Sequence, residues 1–290
     1  MDFTALQSVG NSFALIDAIT DPGAIESVDL VAETRSICGS SSLDGAIYLV
    51  ALDEAQVEDS GLGISHYARV MNSDGSYGSI SGNGARCVAK LLVERGIASP
   101  NEHGMFSFGM GRRVVEVRVE REGETVIRVS VDLGPPEITL AKVPVDTSMI
   151  EGRAERAGEW RVMGREGFFV QVGNPHMVMF RDEPWTEDEI LAHGAALVGA
   201  EAFPEGMNID FAHIHDRERV ALTTYERGVG LTRACGSGAL ATAVAGREMA
   251  VLDDNVTVEM PGGEIVVSHH APSGTTWTTA GVGKVCRQNE

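Results

Sequence analysis

The sequence predicts an α+β fold built from two similar lobes. Three observations carry that expectation: strand-like alternation outweighs helical periodicity, two strand pairs carry hairpin turns, and one five-residue pattern occurs twice. Strands are expected at residues 13–17, 46–52, 114–119, 126–132, 168–172, 220–225 and 256–260, where β-branched and aromatic side chains cluster. Glu122-Gly123 and Pro261-Gly262-Gly263 mark tight turns, because glycine supplies the positive φ such turns need. Antiparallel sheet follows. Helices are expected at 24–35, at 85–95 closed by Gly96, at 187–197 and at 237–249, from apolar residues three and four apart.

The 290 residues are 43% apolar, enough for a large core without disulfide staples. Lys plus Arg total 23 against 42 Asp plus Glu, a net charge of -19, the wrong sign for neutralising phosphates. Nucleic acid is therefore not an expected partner. Residues 46–52 form a continuous apolar run of only seven, far short of the ~20 needed to span a bilayer, so no membrane association is expected. The first five residues lack the basic start and apolar stretch of a secretory signal. Cys38, Cys87, Cys235 and Cys286 include no C-x-x-C pair, which suits reduced thiols and a cytoplasmic setting. His213-x-His215 and His269-His270 lack a third ligand at recognisable spacing, so no metal is expected. Phosphate-loop, dinucleotide and serine-hydrolase signatures find no match.

The repeated pattern is Ser81-Gly82-Asn83-Gly84-Ala85 and, 154 residues on, Cys235-Gly236-Ser237-Gly238-Ala239. Each copy follows a strand and a turn and opens a helix. A helix N-terminus presents unpaired N–H groups and the positive end of the macrodipole, and glycines let an anion approach the backbone. Each copy is thus an anion cradle or, in the bland alternative, an ordinary capped helix start with Ser81 and Cys235 as caps. If the two cradles converge on one carboxylate, residues 81 and 235 flank the adjacent carbon, which is the arrangement a racemase needs. A thiol titrates near 8.5, and a helix N-terminus is expected to lower that value, making Cys235 a general base. Taking a weakly acidic α-hydrogen without a cofactor then needs a preorganised pocket with donors aimed at the carboxylate.

Further landmarks are Gly10-Asn11-Ser12-Phe13, Leu43-Asp44-Gly45, Asn72-Ser73-Asp74-Gly75-Ser76, Gly82-Asn83-Gly84-Ala85-Arg86-Cys87, Asp132-Leu133-Gly134-Pro135-Pro136, Gly173-Asn174-Pro175-His176, Asn208, Tyr225-Glu226-Arg227-Gly228-Val229-Gly230 and Ala234-Cys235-Gly236-Ser237-Gly238. In this order, over nearly the whole chain, the sequence resembles the diaminopimelate epimerase family of cofactor-independent, two-cysteine enzymes. The resemblance implies two lobes of antiparallel sheet around a central helix, residues 1–133 with 275–290 and residues 134–274, with the active site in the cleft between them. It implies Cys235 and Ser81 as the catalytic pair. Asn11, Asn72, Asn174, Asn208 and Arg227 would bind substrate, several at a distal amino-acid head. Gly82, Asn83, Gly236 and Ser237 would hold the proximal carboxylate, Glu226 the proximal ammonium, and His176 would support the thiols. The activity implied is conversion of LL- to meso-diaminopimelate, a step of lysine biosynthesis, on a small amino-acid substrate with no cofactor. A homodimer is an open assembly.

The family carries cysteine where this chain has Ser81, whose hydroxyl ionises far less readily than a thiol. Ser12, Ser40-Ser41-Ser42-Leu43, Leu231 and Ala280-Gly281-Val282-Gly283 also depart from its pattern. Two alternatives therefore stay open: a divergent paralogue that racemises another amino acid or acts on it by β-elimination, and a non-catalytic amino-acid-binding protein.

Overall fold

The structure is a computed structural model that describes residues 1–52, 64–78, 80–111, 113–152, 160–270 and 274–285. Cys286 lies outside the described residues. The chain divides into two compact units, Met1–Asp132 with Thr279–Glu290, and Leu133–Thr278.

In the first unit, β1 (Thr4–Ser8) and β2 (Asn11–Asp17) form a hairpin turned at Val9-Gly10, both at positive φ. Helix α1 (Leu30–Ser41) returns the chain so that β3 (Gly45–Ala51) lies parallel to β2, and β4 (His66–Asn72) runs antiparallel to β3. Helix α2 (Gly82–Glu94) follows. Then β5 (Met105–Met110) pairs parallel with β4 and leads into the β6 (Arg113–Glu122) and β7 (Thr125–Asp132) meander.

The second unit has the same order. Strands β8 (Trp160–Val162), β9 (Arg165–Gln171) and β10 (Pro175–Arg181) form a meander, and helix α3 (Glu187–Leu197) returns the chain to β11 (Asn208–Asp216), parallel to β10. Strand β12 (Arg219–Glu226) runs antiparallel to β11 and is followed by β13 (Gly230–Thr232) and helix α4 (Gly236–Glu248). Strand β14 (Asn255–Met260) pairs parallel with β12 and antiparallel with β15 (Gly263–His270). Strand β16 (Thr275–Gly281) carries the chain back to the first unit, where β17 (Gly283–Lys284) pairs with β1.

Helices α2 and α4 are the buried ones. Every residue from Asn83 to Val93 is buried, as is every residue from Gly238 to Gly246. Helix α2 keeps a polar side through Arg86 and Lys90 although both are buried, whereas α4 uses mostly small residues, Gly-Ala-Leu-Ala-Thr-Ala-Val-Ala-Gly, that let strands approach. Both expected hairpins are present, Glu122 pairing with Thr125 and Met260 with Gly263.

Two expectations need correction. The helix expected at 24–35 is a single 3-10 turn, Pro22–Ile25, followed by α1 at Leu30–Ser41. Ser27 sits at φ 60, outside the right-handed helical region, and the Asp29 carboxylate caps α1 by accepting from the Val31 and Ala32 N–H groups. The sheets are also mixed rather than purely antiparallel, because each unit returns twice across a helix and such a crossover yields a parallel pair. Among the described residues, no helix is long and apolar enough to cross a membrane.

Candidate active site

Ser81 and Cys235 occupy one structural position in two equivalent helices: each is the N-cap. Ser81 has φ -126 and ψ 114 and its Oγ accepts from the Gly84 N–H at 3.0 Å. Cys235 has φ -131 and ψ 106 and its Sγ accepts from the Gly238 N–H at 3.4 Å. The bland alternative is thus true of both, and it leaves the other N–H groups of the first helical turn available, as any helix start does.

The glycine immediately before each alanine is fixed by its neighbours. A Cβ on Gly84 would sit 2.9 Å from Ile47 Cδ1 and 3.1 Å from Ser81 Cβ. A Cβ on Gly238 would sit 2.7 Å from Asp210 Oδ1 and 2.8 Å from Thr224 Oγ1. Both helix starts are pressed against the strands beneath them.

In the first unit an ordered amide chain runs beside Ser81. The fully buried Arg86 donates from its guanidinium to Asn83 Oδ1 at 2.7 Å, so the Asn83 amide must turn its Nδ2 outward, where it donates to Asn11 Oδ1 at 2.6 Å. Asn11 therefore faces away with its own N–H groups. Asp44 accepts from the Ser12 N–H and Ser12 hydroxyl at 2.7 and 2.9 Å, bracing the strand that carries Asn11. Asn72 closes its own turn, its Nδ2 donating to Ser76 Oγ at 2.9 Å.

In the second unit Cys235, 6% exposed, is embedded in a polar chain. Its Sγ lies 3.4 Å from Ser237 Oγ, which lies 3.0 Å from His176 Nε2. His176 Nδ1 lies 2.7 Å from Asp210 Oδ2, and Asp210 Oδ1 accepts from the Thr224 hydroxyl at 2.7 Å. Asn174 Oδ1 also faces His176 Nε2 at 3.2 Å. Glu226 accepts from the Thr232 hydroxyl at 2.8 Å. Asn208 is buried and bridges two backbones: its Nδ2 donates to the Pro175 carbonyl and its Oδ1 accepts from the Arg227 N–H, both at 3.0 Å. The exposed Arg227 guanidinium donates to the Glu205 carbonyl.

One expectation reverses here. The Cys235 thiol is pushed well above its ordinary range, by burial first and then by the negative charges of Glu226 and Asp210. Hydrogen bonds from Ser237 and the Gly238 N–H pull the other way and do not prevail. The helix start is present, but desolvation of a thiolate outweighs a dipole contribution that is worth about 0.3–1 kcal/mol at exposed sites.

Sequence reading missed Asp210 and Thr224, and it noted Asp44 and Arg86 within motifs without giving either a role. A signal existed for Asp210: an acidic residue between Ile209 and Phe211 in an apolar strand needs a partner once buried. Among the described residues, no group of three or more His, Cys, Asp or Glu side chains is arranged to hold a metal ion.

A family model described as diaminopimelate epimerase matches residues 168–285. The diaminopimelate epimerase of Halorhodospira halophila is 33% identical over 281 residues, covering 96% of this chain and 91% of its own. That of Bacillus licheniformis is 30% identical over 273 residues, covering 92% and 90%. Among solved structures, a hydroxyproline epimerase of Agrobacterium vitis aligns with TM-score 0.60 at 11% identity, covering 97% of this chain and 89% of its own. A methylitaconate-delta-isomerase aligns with TM-score 0.63 at 11% identity, covering 98% and 93%. These structural likenesses establish the fold, and the sequence relatives establish more: this chain belongs to the diaminopimelate epimerase family and is an enzyme of the amino-acid epimerase class.

Proposed function

We propose that the protein epimerises diaminopimelate at its α-carbon without a cofactor, with Cys235 as the base. The observation that carries this reading is the shared N-cap position of Ser81 and Cys235 on two equivalent glycine-flanked helices. In this reading the backbone N–H groups at Gly82, Asn83, Gly236 and Ser237 receive the substrate's proximal carboxylate. Cys235 takes the α-hydrogen, and the electron pair left on carbon spreads into the carboxylate that those donors hold. Glu226 accepts from the proximal ammonium. Asn11, Asn72, Asn174, Asn208 and Arg227 meet the distal head, the guanidinium fork suiting a carboxylate.

Ser81 limits the return step, because a hydroxyl is a poor proton donor and acceptor here compared with a thiol. Epimerisation is therefore slow in the protein as it stands. Chromatographic separation of LL- and meso-diaminopimelate after incubation tests the reading: slow interconversion that Ser81→Cys accelerates at least tenfold is expected. No interconversion by either form refutes it. Ser81 also favours a second reading, one-base chemistry on another amino acid, which would reveal itself as ammonia or keto-acid release from a β-substituted substrate.

A further inference from the structure

We propose that Asp210 is the positioning residue of a proton relay that runs from Cys235 through Ser237 to His176. The relay rests on the reading that Cys235 is the proton-abstracting group, and it answers how a buried thiol surrounded by negative charge can lose its proton.

Solvent cannot take the Cys235 proton cheaply, because the thiolate would be left buried beside Glu226 and Asp210. An internal acceptor can. Ser237 Oγ spans the gap, 3.4 Å from Cys235 Sγ on one side and 3.0 Å from His176 Nε2 on the other. In the resting direction the thiol S–H faces Ser237 Oγ, and the Ser237 O–H donates to a neutral Nε2. In the transfer, the S–H bond breaks as a new O–H bond forms, and the original Ser237 proton passes to Nε2. Ser237 ends as a neutral hydroxyl donating to the thiolate, and His176 ends as an imidazolium. Net charge is unchanged.

The surroundings of His176 suit that charged end state. Nδ1 faces the Asp210 carboxylate, and Nε2 faces both the Asn174 carbonyl oxygen and the Ser237 hydroxyl. Once the proton has arrived at Nε2, the ring can donate from Nδ1 to Asp210 and from Nε2 to the Asn174 carbonyl oxygen, so both N–H groups find an acceptor. Asp210 in turn is held by the Thr224 hydroxyl, and Gly238 leaves no side chain to displace either. Both His176 and Asp210 are wholly buried, so the pair attracts through a weakly screening medium. The charged groups that bear on Cys235 are Glu226 and Asp210, and Asp210 is the one that faces His176.

The relay gives Asp210→Asn an effect opposite in sign to the simple electrostatic one. Removing a negative charge near Cys235 would by itself ease thiolate formation. Removing the partner of the imidazolium hinders it. The far-ultraviolet thiolate absorbance of the whole protein, taken as the difference from its Cys235→Ala variant, reports the Cys235 titration without substrate or reagent access. The relay predicts that Asp210→Asn moves the titration midpoint to higher pH by at least one unit, a tenfold loss of thiolate. Ser237→Ala should do the same, Ser237→Thr should restore the wild-type midpoint, and the double variant should shift no further than either single one. A midpoint unchanged or lowered in Asp210→Asn, with thermal melting near wild type, overturns the relay. If Asp210→Asn does not fold, the Ser237→Ala and Ser237→Thr pair decides alone, an unshifted Ser237→Ala midpoint overturning it. Because no substrate enters this measurement, failure of diaminopimelate turnover is a separate result.

Discussion

Asp210 Oδ2 lies 2.7 Å from His176 Nδ1, with no exposed surface on either side chain. Taking both groups out of water is costly, and the cost is recovered only while the contact is intact. Breaking it from one side should therefore be severe. His176→Ala is expected to lower the urea-unfolding free energy by about 3–5 kcal/mol, because it leaves a buried carboxylate with the Thr224 hydroxyl as its remaining side-chain partner. Asp210→Asn, which keeps the shape and an acceptor for Thr224, should cost less.

Gly238 is the second sensitive point. An alanine methyl there would press on Asp210 Oδ1 and Thr224 Oγ1 at 2.7 and 2.8 Å, neither of which can retreat without losing its hydrogen bond. Gly238→Ala should destabilise by about 1–3 kcal/mol in chemical denaturation. Gly199→Ala, where nothing lies within 4 Å, should be neutral or slightly stabilising, and serves as the control.

Alkaline stability should depend on Cys87. This thiol is wholly buried in α2, and burial pushes it up to about 12 despite the neighbouring Arg86 and Lys90 charges. A raised native value means the folded state holds its proton more tightly, so the contribution is complete below the unfolded value near 8.5. It is lost as pH rises from about 8.5 towards 12, at up to about 1.4 kcal/mol per pH unit. Cys87→Ala should flatten that decline in denaturation curves taken across the window. An identical slope would show that the thiol does not contribute.

Arg227 should govern substrate affinity rather than chemistry. Its guanidinium is exposed on the loop after β12 while its backbone N–H is anchored to Asn208. Arg227→Lys keeps the charge and loses the fork, so KM for diaminopimelate should rise about tenfold with kcat nearly unchanged, the signature of lost uniform binding.

The second unit's α3 was legible to the residue from apolar spacing alone, and the Thr186 and Glu189 capping box found in the structure fixes that same start. The paired N-caps were legible for a similar reason: a Gly-x-Gly start after a strand is a strong local signal in both halves. Helix α1 was misplaced because Pro22–Ile25 and the residues after it carry helical spacing without a cap until Asp29. Strands such as β10 and β11 lacked alternation because they are buried nearly throughout, and their apolar runs give no period to read. Asn11, Asn83 and Arg86 form one amide chain only because α2 packs beside β2, a long-range fact that no local pattern encodes.

The same limit applied to the base. Cys235 was readable as a thiol on a helix tip, but its burial and the Asp210 carboxylate, which raise its proton affinity together with the nearby Glu226, depend on packing that no local pattern encodes.

The most direct test of Cys235 as the proton-abstracting base is hydrogen exchange at the substrate α-carbon. Diaminopimelate is incubated in D2O with the wild-type protein, with Cys235→Ala and with Ser81→Cys, and α-deuterium is read by mass spectrometry. The account predicts incorporation by wild type, faster incorporation by Ser81→Cys, and none above background for Cys235→Ala. Undiminished incorporation by Cys235→Ala, or none by wild type and Ser81→Cys alike, would contradict it.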